Sequence, residues 1–239
     1  MIRAVIFDMF ETLVTLFEGR TYFGEDIAAD VGADPDLFRR EWHSTEQARS
    51  TGKYTIEEGL AIVLKKLGLY SEKKVKQTAA KRYRALEDTF SAVPADSVRL
   101  LKELKENGLR TGLITNAFSD ERDFIRACPL FPFFDAALIS FEQGICKPDP
   151  LLFQRMAALL QVKPSECLYV GDGGSRELFA AREAGMHPVQ CTWFHDRAYE
   201  PHIPCPILDG FDHAAHPSEI PDYCRAYDDP VKTGTGLNL

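Results

Sequence analysis

The stretch that decides the fold of this 239-residue chain is Val5-Ile6-Phe7-Asp8-Met9-Phe10-Glu11-Thr12-Leu13. The run from Ala4 to Phe7 is apolar and rich in β-branched and aromatic residues, as is typical of a strand buried on both faces of a parallel sheet. Burying an unpaired carboxylate is costly, so Asp8 is unexpected directly after such a strand. At the strand's carboxyl end, however, Asp8 would face the crevice where open α/β sheets bind ligands. There it could act as a nucleophile or bind a hard cation, or it could simply end the strand in a turn.

Three further polar sites follow apolar segments that we predict to be strands. They are Thr115-Asn116 after Arg110–Ile114, Lys147-Pro148 after Gly144–Cys146, and Asp172 with Glu177 after Cys167–Gly171. Each has a plain structural alternative. Thr115-Asn116 could be a turn, and Lys147 a solvated loop residue. Asp172 could cap a helix, and Glu177 could simply favour a helix's first turn. Four such sites in this order are far more specific than any one of them.

Between Thr12 and residue 92 the pattern is helical, with no convincing strand. Asp34-Pro35 predicts the start of a helix that runs towards Arg49, and Thr55–Glu58 resembles a capping box. From Ala95 onward strands and helices alternate, with the last core strand expected at residues 188–191. This alternation predicts a parallel, doubly wound sheet.

The order and placement of the four polar sites resemble the haloacid dehalogenase (HAD) superfamily of hydrolases. The resemblance covers about residues 1–14 and 93–225. It implies an α/β fold in which those two segments form a Rossmann-like, doubly wound parallel sheet core. Residues 15–92 would be an inserted α-helical cap, which in one large branch of the superfamily closes over the active site. Residues 226–239 have the composition of a tail, and we assign them no role.

The resemblance implies magnesium-dependent phosphoryl transfer from a small phosphorylated metabolite to Asp8 and then to water. Asp8 would be the nucleophile. Asp8, the backbone carbonyl of Phe10 and Asp172 would bind Mg²⁺, which prefers a few oxygen ligands plus waters. Lys147 would hold both Asp8 and a substrate oxygen.

The remaining site residues have supporting roles in the same scheme. The Thr115 hydroxyl and the Asn116 backbone N–H would donate hydrogen bonds to the transferring group. Thr12 would bond the backbone around Asp8 and fix its rotamer. Glu177 would support the metal through water or through the neighbouring lysine.

The main departure from the family pattern is Phe10. Phosphatases of this superfamily usually carry an acid/base Asp at that place, and Phe10 cannot transfer protons. General acid–base help is typically worth about 10²–10⁴-fold, so a phosphatase without it should favour good leaving groups. Glu11 is adjacent, but on an extended backbone its side chain would point away from the cleft.

Phe10 leaves two alternatives open. An aromatic residue at this place is typical of metal-independent 2-haloacid dehalogenases, whose halide leaving group needs no acid. Against a dehalogenase, Phe153 stands where those enzymes usually have Tyr, and Asp172 where they have a small polar residue. The other alternative is a catalytically weak protein that binds a phosphorylated ligand or partner.

Composition narrows the class of partner. The net charge is −8 with no long basic run, which argues against nucleic-acid binding. No apolar run approaches a membrane span, and no signal peptide is recognisable. Six cysteines without CxxC spacing indicate reduced thiols. We therefore expect a cytoplasmic monomer or homodimer that acts on a small molecule without membrane partners.

The sequence says little about the substrate. Five residues of the helical segment could reach the cleft, although an ordinary packing or surface role is the better explanation for each: Arg39, Arg40, Trp42, Lys53 and Tyr54. The histidines of the C-terminal part have no ligand-like spacing and are interpreted as surface or loop residues: His195, His202, His213 and His216.

Overall fold

The protein contains one six-stranded parallel sheet in the order β3-β2-β1-β4-β5-β6. The structure is a computed structural model that describes residues 1–227. The strands are β1 (Ala4–Phe7), β2 (Arg110–Thr115), β3 (Ala136–Ile139), β4 (Cys167–Gly171), β5 (His187–Cys191) and β6 (Asp212–Ala214). This order confirms the predicted Rossmann-like, doubly wound α/β core.

Strand β1 lies at the centre of the sheet, and its apolar run is explained by burial on both faces. Val5 and Phe7 pack into the hydrophobic cluster on one face, whereas Ala4 and Ile6 pack into the cluster on the other. All four side chains are completely buried. Each large side chain contributes about 1.5–3 kcal/mol by leaving water, so a polar replacement here would not be tolerated.

The pairing register brings three strand ends side by side. Phe7 pairs with Leu113 of β2 and with Val170 of β4, and the Asp8 amide donates to the Val170 carbonyl oxygen at 3.0 Å. The strand order reverses between β1 and β4, and open α/β sheets bind ligands in the crevice at such a point. Asp8 and Asp172, which follow these two strands, therefore flank that crevice.

Eleven α-helices surround the sheet within residues 1–227. The first five lie between β1 and the second part of the core: α1 (Gly24–Val31), α2 (Pro35–Ser44), α3 (Glu46–Ser50), α4 (Ile56–Lys66) and α5 (Glu72–Ser91). The others belong to the core: α6 (Ala95–Glu106), α7 (Ser119–Ala127), α8 (Ser140–Gln143), α9 (Pro150–Leu159), α10 (Glu177–Glu183) and α11 (Ile220–Ala226). In this part of the chain no helix is both long and apolar enough to cross a membrane.

The five inserted helices form a cap with a hydrophobic cluster of its own, which includes Phe38, Leu60 and Val63. The predicted N-terminal helix caps are present. Asp34 accepts hydrogen bonds at the start of α2, and Thr55 and Glu58 form a reciprocal capping box at the start of α4. One expectation is wrong. The helix from residue 35 does not continue to Arg49, because it ends at Ser44 and α3 begins after Thr45.

Two predicted features of the core differ from the structure. Residues 144–146 are not a strand, because Lys147 is reached through the short helix α8 and a left-handed turn at Gly144. The last core strand is β6 rather than residues 188–191, and α11 follows it. The predicted tail, 226–239, lies outside the described residues except for its first two, of which Ala226 ends α11.

The cap is fixed to the core at the start of α7. Arg82 of α5 is buried and donates to Asp120 Oδ2 at 2.8 Å and to Glu121 Oε1 at 3.2 Å. The Ile56 amide, at the start of α4, donates to the Ser119 hydroxyl at 2.9 Å. These contacts place the cap against the segment that directly follows Thr115-Asn116.

We expect Arg82→Met to lower the free energy of unfolding by about 3–5 kcal/mol, because it leaves two buried carboxylates without their counter-charge. Arg84→Met on the exposed face of the same helix is the matched control and should change stability by less than about 0.5 kcal/mol. Urea unfolding of the three proteins measures the difference. Equal stability of the two variants would contradict a structural role for the Arg82 ion pairs.

Candidate active site

Lys147 lies in the crevice and contacts carboxylates from two different strand ends. Its Nζ is 2.7 Å from Asp8 Oδ1 and 2.5 Å from Glu177 Oε2, and the Lys147 side chain is 3% exposed. Burial alone would lower the pKa of this ammonium, but Asp8 and Glu177 outweigh burial and raise it. Lys147 is therefore a fixed positive charge and not a proton donor at neutral pH.

Glu177 is completely buried beneath the crevice and is held by three donors. These are Lys147, the Tyr169 hydroxyl at 2.8 Å and the Gly173 amide at 3.1 Å. Position 171 must be glycine, because a Cβ there would lie 2.0 Å from Glu177 Oε1. The segment Gly171–Gly174 thus leaves space for the buried Glu177 and also places Asp172 at the crevice.

Asn116 connects the end of β2 to the lysine loop. Its side-chain oxygen accepts from the Lys147 amide at 2.8 Å, and its Nδ2 donates to the Lys147 carbonyl oxygen at 3.3 Å and to Ser175 Oγ at 3.2 Å. The Asn116 side chain therefore fixes the lysine loop, a contact that the sequence did not indicate. Thr115 is buried, and its hydroxyl makes a long contact of 3.4 Å with the Asn116 carbonyl oxygen.

Three carboxylates meet in this crevice. One oxygen from each of Asp8, Asp172 and Glu177 lies within 4.8 Å of the other two. All three are buried and Lys147 is the ammonium that contacts two of them, so the cluster carries excess negative charge when ionised. Asp8 Oδ1 has no hydrogen-bond partner among the described residues, although it is close to Lys147.

The pKa values of this cluster reflect the excess charge. Burial and the nearby Asp8 raise the pKa of Asp172. Burial also raises the pKa of Glu177, since the attraction of Lys147 does not compensate for it. A divalent cation would relieve this repulsion, and an all-oxygen donor set suits a hard ion such as Mg²⁺. The residues present therefore fit a magnesium ion.

Phe10 and Glu11 occupy the place where the family pattern has an acid/base residue. The Phe10 ring packs edge-on against Phe90 at the end of the cap, with a centroid distance of 6.1 Å. The backbone at Glu11 is left-handed, with φ of 54°, so the extended backbone that we assumed there is wrong. The Glu11 carboxylate accepts from Thr15 Oγ1 at 2.8 Å and from the Leu16 amide at 2.9 Å. Burial, assisted by Asp172 and Asp8, raises the pKa of Glu11 to about 7.

Thr12 is buried in the loop that follows β1. Its hydroxyl accepts a hydrogen bond from Cys191 Sγ at 3.4 Å, and its carbonyl oxygen accepts from Trp193 Nε1 at 2.8 Å. Thr12 thus joins the loop to the segment after β5. Its expected bond to the backbone around Asp8 stays a prediction.

A cavity of about 580 Å³ lies between cap and core. Of the five cap residues singled out from the sequence, Arg39 and Trp42 line it, whereas Arg40, Lys53 and Tyr54 do not. Other lining residues were missed, including Tyr22, Phe23, Phe118 and His202. Phe118 could have been found from the sequence, because it follows Asn116 by two residues.

His202 belongs to a segment, residues 195–208, that we call the strap. The strap crosses to the linker that leads into the cap: Tyr199 Oη is 2.8 Å from Thr21 Oγ1, and the His202 ring lies 4.1 Å from the Phe23 ring. Arg197 pairs with Glu18, and His202 with Glu25. His202 is a loop residue as expected, but no local sequence signal indicates that it faces the cavity.

The strap also contacts the end of β4 through Gln190. Gln190 Nε2 donates to the Asp172 carbonyl oxygen at 2.8 Å and to the Pro206 carbonyl oxygen at 2.9 Å. The Leu208 amide donates to Gln190 Oε1 at 2.8 Å. The strap therefore connects the crevice to the linker of the cap.

Comparison with known proteins places these features in a family. The sequence matches the model of the haloacid dehalogenase-like hydrolases over residues 2–185. It is 28% identical over 196 residues to a glyceraldehyde 3-phosphate phosphatase of Methanopyrus kandleri, which covers 80% of this chain and 84% of that protein. It is 37% identical over 105 residues to a phosphoserine phosphatase of Thermus thermophilus, covering 44% and 41%.

Solved structures agree on the fold. A HAD phosphatase from Thermococcus onnurineus superposes with a TM-score of 0.60 at 21% identity, covering 93% of this chain and 97% of that one. A 2-haloacid dehalogenase from Pseudomonas syringae gives a TM-score of 0.64 with the same identity and coverage. Since the family match spans most of the chain and the fold agrees, this protein is an enzyme that belongs to the haloacid dehalogenase-like hydrolases.

Proposed function

We propose that this protein is a magnesium-dependent phosphohydrolase that transfers a phosphoryl group from a small phosphorylated metabolite to Asp8 and then to water. The observation that carries the proposal is the buried cluster of Asp8, Asp172 and Glu177 around Lys147. Relatives named as phosphatases of small phosphorylated compounds support the same class of substrate.

Each residue of the site has its own role in the proposed reaction. A carboxylate oxygen of Asp8 attacks phosphorus, and the bond from phosphorus to the leaving oxygen breaks, with its electron pair staying on that oxygen. Lys147 holds Asp8 in place and offsets negative charge on the transferring group. The Thr115 hydroxyl and the Asn116 backbone N–H donate hydrogen bonds to the equatorial oxygens of the transferring phosphoryl group. Water then attacks the aspartyl-phosphate and releases inorganic phosphate and free Asp8.

Asp8, the carbonyl oxygen of Phe10 and Asp172 would hold the magnesium ion, and Glu177 supports the arrangement through Lys147. When bound, the ion neutralises charge that would otherwise oppose the approach of one anion to another. Thr12 positions the nucleophile loop through its contacts with the segment after β5.

Two observations bear on the dehalogenase alternative. Phe10 favours it, because the phenylalanine side chain cannot protonate a leaving oxygen. The acidic cluster at Asp172 and Glu177 opposes it, because three buried carboxylates beside one lysine suit a cation and would repel a 2-haloacid carboxylate. Metal-dependent phosphoryl transfer therefore explains more of the site.

Asp8→Asn should lower magnesium-dependent release of phosphate at least about 10³-fold, because an amide cannot act as the nucleophile. A panel of phosphomonoesters and 2-haloacids, each with and without Mg²⁺, measures this. The exposed Asp36→Asn is the matched control and should keep full activity. Phosphatase activity that survives Asp8→Asn would rule out this nucleophile, and metal-independent halide release would identify a dehalogenase.

Magnesium should raise the melting temperature of the wild-type protein, since a ligand that binds the folded state stabilises it by about 2.7 kcal/mol at 100 times its Kd. Asp172→Asn should abolish the increase, whereas the exposed Asp209→Asn should keep it. Burial and Asp8 raise the pKa of Asp172, and Mg²⁺ binds the deprotonated carboxylate, so the increase should shrink as the pH falls towards that raised pKa. An equal increase in both variants would place the metal elsewhere.

Phe10→Asp should raise turnover of phosphates with poor, alkyl leaving groups by up to about 10²–10⁴-fold, because it supplies the missing proton donor. Phe10→Asn has the same size and polarity but cannot exchange a proton, and so it controls for lost packing against Phe90. Steady-state rates on an alkyl phosphate test this directly. A rate no higher than that of the asparagine variant would mean that another group already protonates the leaving oxygen.

A further inference from the structure

The cavity between cap and core has an aromatic wall. Four rings contribute to it: Tyr22 and Phe23 from the linker, Trp42 from α2 and Phe118 from the loop after β2. Aliphatic side chains fill the spaces between them, namely Leu16, Ala85 and Leu86. Such a surface recognises flat, apolar groups by stacking and by excluding water.

Two of the rings are fixed before any ligand binds. The Arg49 guanidinium lies 3.7 Å from the ring centroid of Trp42 and 4.2 Å from that of Phe118. Arg49 is buried and donates to Thr45 Oγ1 and to the Trp42 carbonyl oxygen, both at 3.0 Å. Gly59 provides the space, because a Cβ there would lie 2.5 Å from Arg49 Cδ. A preorganised wall loses little entropy when a ligand binds.

Most charges on the cavity wall are already paired. Arg82 is neutralised by Asp120 and Glu121, and Glu25 is paired with His202. The two other arginines of the lining form more exposed pairs, Arg20 with Asp88 and Arg39 with Asp36. A charged ligand group would have to displace these partners. The part of a ligand that enters the cavity is therefore best uncharged.

The proposed catalytic residues do not themselves line the cavity, but two of its lining residues, Phe118 and Leu16, lie next to them along the chain or by a hydrogen bond. Phe118 follows Asn116 by two residues, which places their Cα atoms within about 7 Å of each other. On the other side, the amide of the lining residue Leu16 donates to Glu11 Oε1 at 2.9 Å, next to Phe10. A phosphoryl group between Asp8 and Asn116 can thus direct its ester substituent into the cavity.

We propose that this cavity holds the leaving group of the substrate and that the leaving group is a flat aromatic alcohol, so that the enzyme prefers aryl phosphates. This inference rests on the proposed phosphohydrolase activity and names its substrate class. The chemistry agrees with Phe10: when the bond from phosphorus to oxygen breaks, the electron pair leaves on a phenolate, which needs no enzyme acid and takes its proton from water.

The strap also contributes to this wall. Pro201 and His202 line the cavity, and His202 stacks against Phe23, which is itself a wall residue. The strap lies beyond residue 185, where the family match ends. Recognition of the leaving group therefore uses a segment that the family pattern does not specify.

The test compares two substrates with good leaving groups, 4-methylumbelliferyl phosphate, which carries two fused rings, and acetyl phosphate, which carries none. Ala85→Phe places a ring in the cavity and should raise KM for the aryl phosphate at least about tenfold, with acetyl phosphate changed less than about twofold. Ala80→Phe puts the same side chain on the exposed part of α5 and should change neither. Ala85→Leu repeats the test with a smaller side chain if the phenylalanine variant does not fold.

The outcomes separate this inference from the proposed function. Hydrolysis of acetyl phosphate with an unchanged KM for the aryl phosphate in Ala85→Phe would overturn the inference and leave the phosphohydrolase intact. An equal loss on both substrates would also overturn it, because the variant would then act on the catalytic groups. Calorimetric titration of 4-methylumbelliferyl phosphate into Asp8→Asn, with and without Ala85→Phe, measures the cavity's contribution without turnover. Binding that is not weakened by Ala85→Phe would overturn the inference, whereas no turnover of any phosphate by the wild type would overturn the proposed function.

Discussion

The ammonium of Lys147 lies between two buried carboxylates, and the rest of the crevice is arranged around that charge. Asp8 comes from β1 and Glu177 from the helix after β4, so this one lysine joins elements that are distant in the chain. An ion pair this deeply buried is costly to desolvate and is retained only where geometry and extra hydrogen bonds compensate. Tyr169 and Gly173 provide those bonds to Glu177, and Asn116 fixes the lysine loop from the other side. The carboxylates that remain uncompensated are the reason that the site suits a cation.

The parts of this site that sequence predicted are those with strong local constraints. Asp8 and Asp172 follow strands whose apolar runs are unambiguous, so the edge of the sheet where they meet could be predicted before any contact was known. Lys147 was assigned to the right crevice for a partly wrong reason, because the expected strand before it is a turn after α8. Gly144–Cys146 is too short for periodicity to distinguish a strand from a loop. The cap was found by its helical pattern, while the break at Thr45 depends on packing that the pattern does not encode.

What could not be predicted depends on contacts between distant segments. The bonds from the Asn116 side chain to the lysine loop, the stacking of Arg49 between Trp42 and Phe118, and the crossing of the strap to the linker all join residues far apart in sequence. The conformation of Glu11 could not be predicted either, although its contacts are with residues close to it in the sequence. Its left-handed backbone turns the side chain back towards Thr15 and Leu16, and no property of the residue itself requires this. The proposed leaving-group cavity is built from such distant contacts, which explains why the sequence was least informative about the substrate.

The central position of β1 has a consequence for how the chain is made. Ala4 pairs with Arg110 on one side and with Cys167 on the other, so β1 leaves the ribosome long before either neighbour. At about 5–20 residues per second, about 8–30 s of synthesis separates it from its second partner. During that interval an apolar segment with unpaired edges must be shielded, and the cap helices, which pack on one another through local contacts, are the first structure that can form. The order of synthesis thus favours folding of the cap before the core is complete.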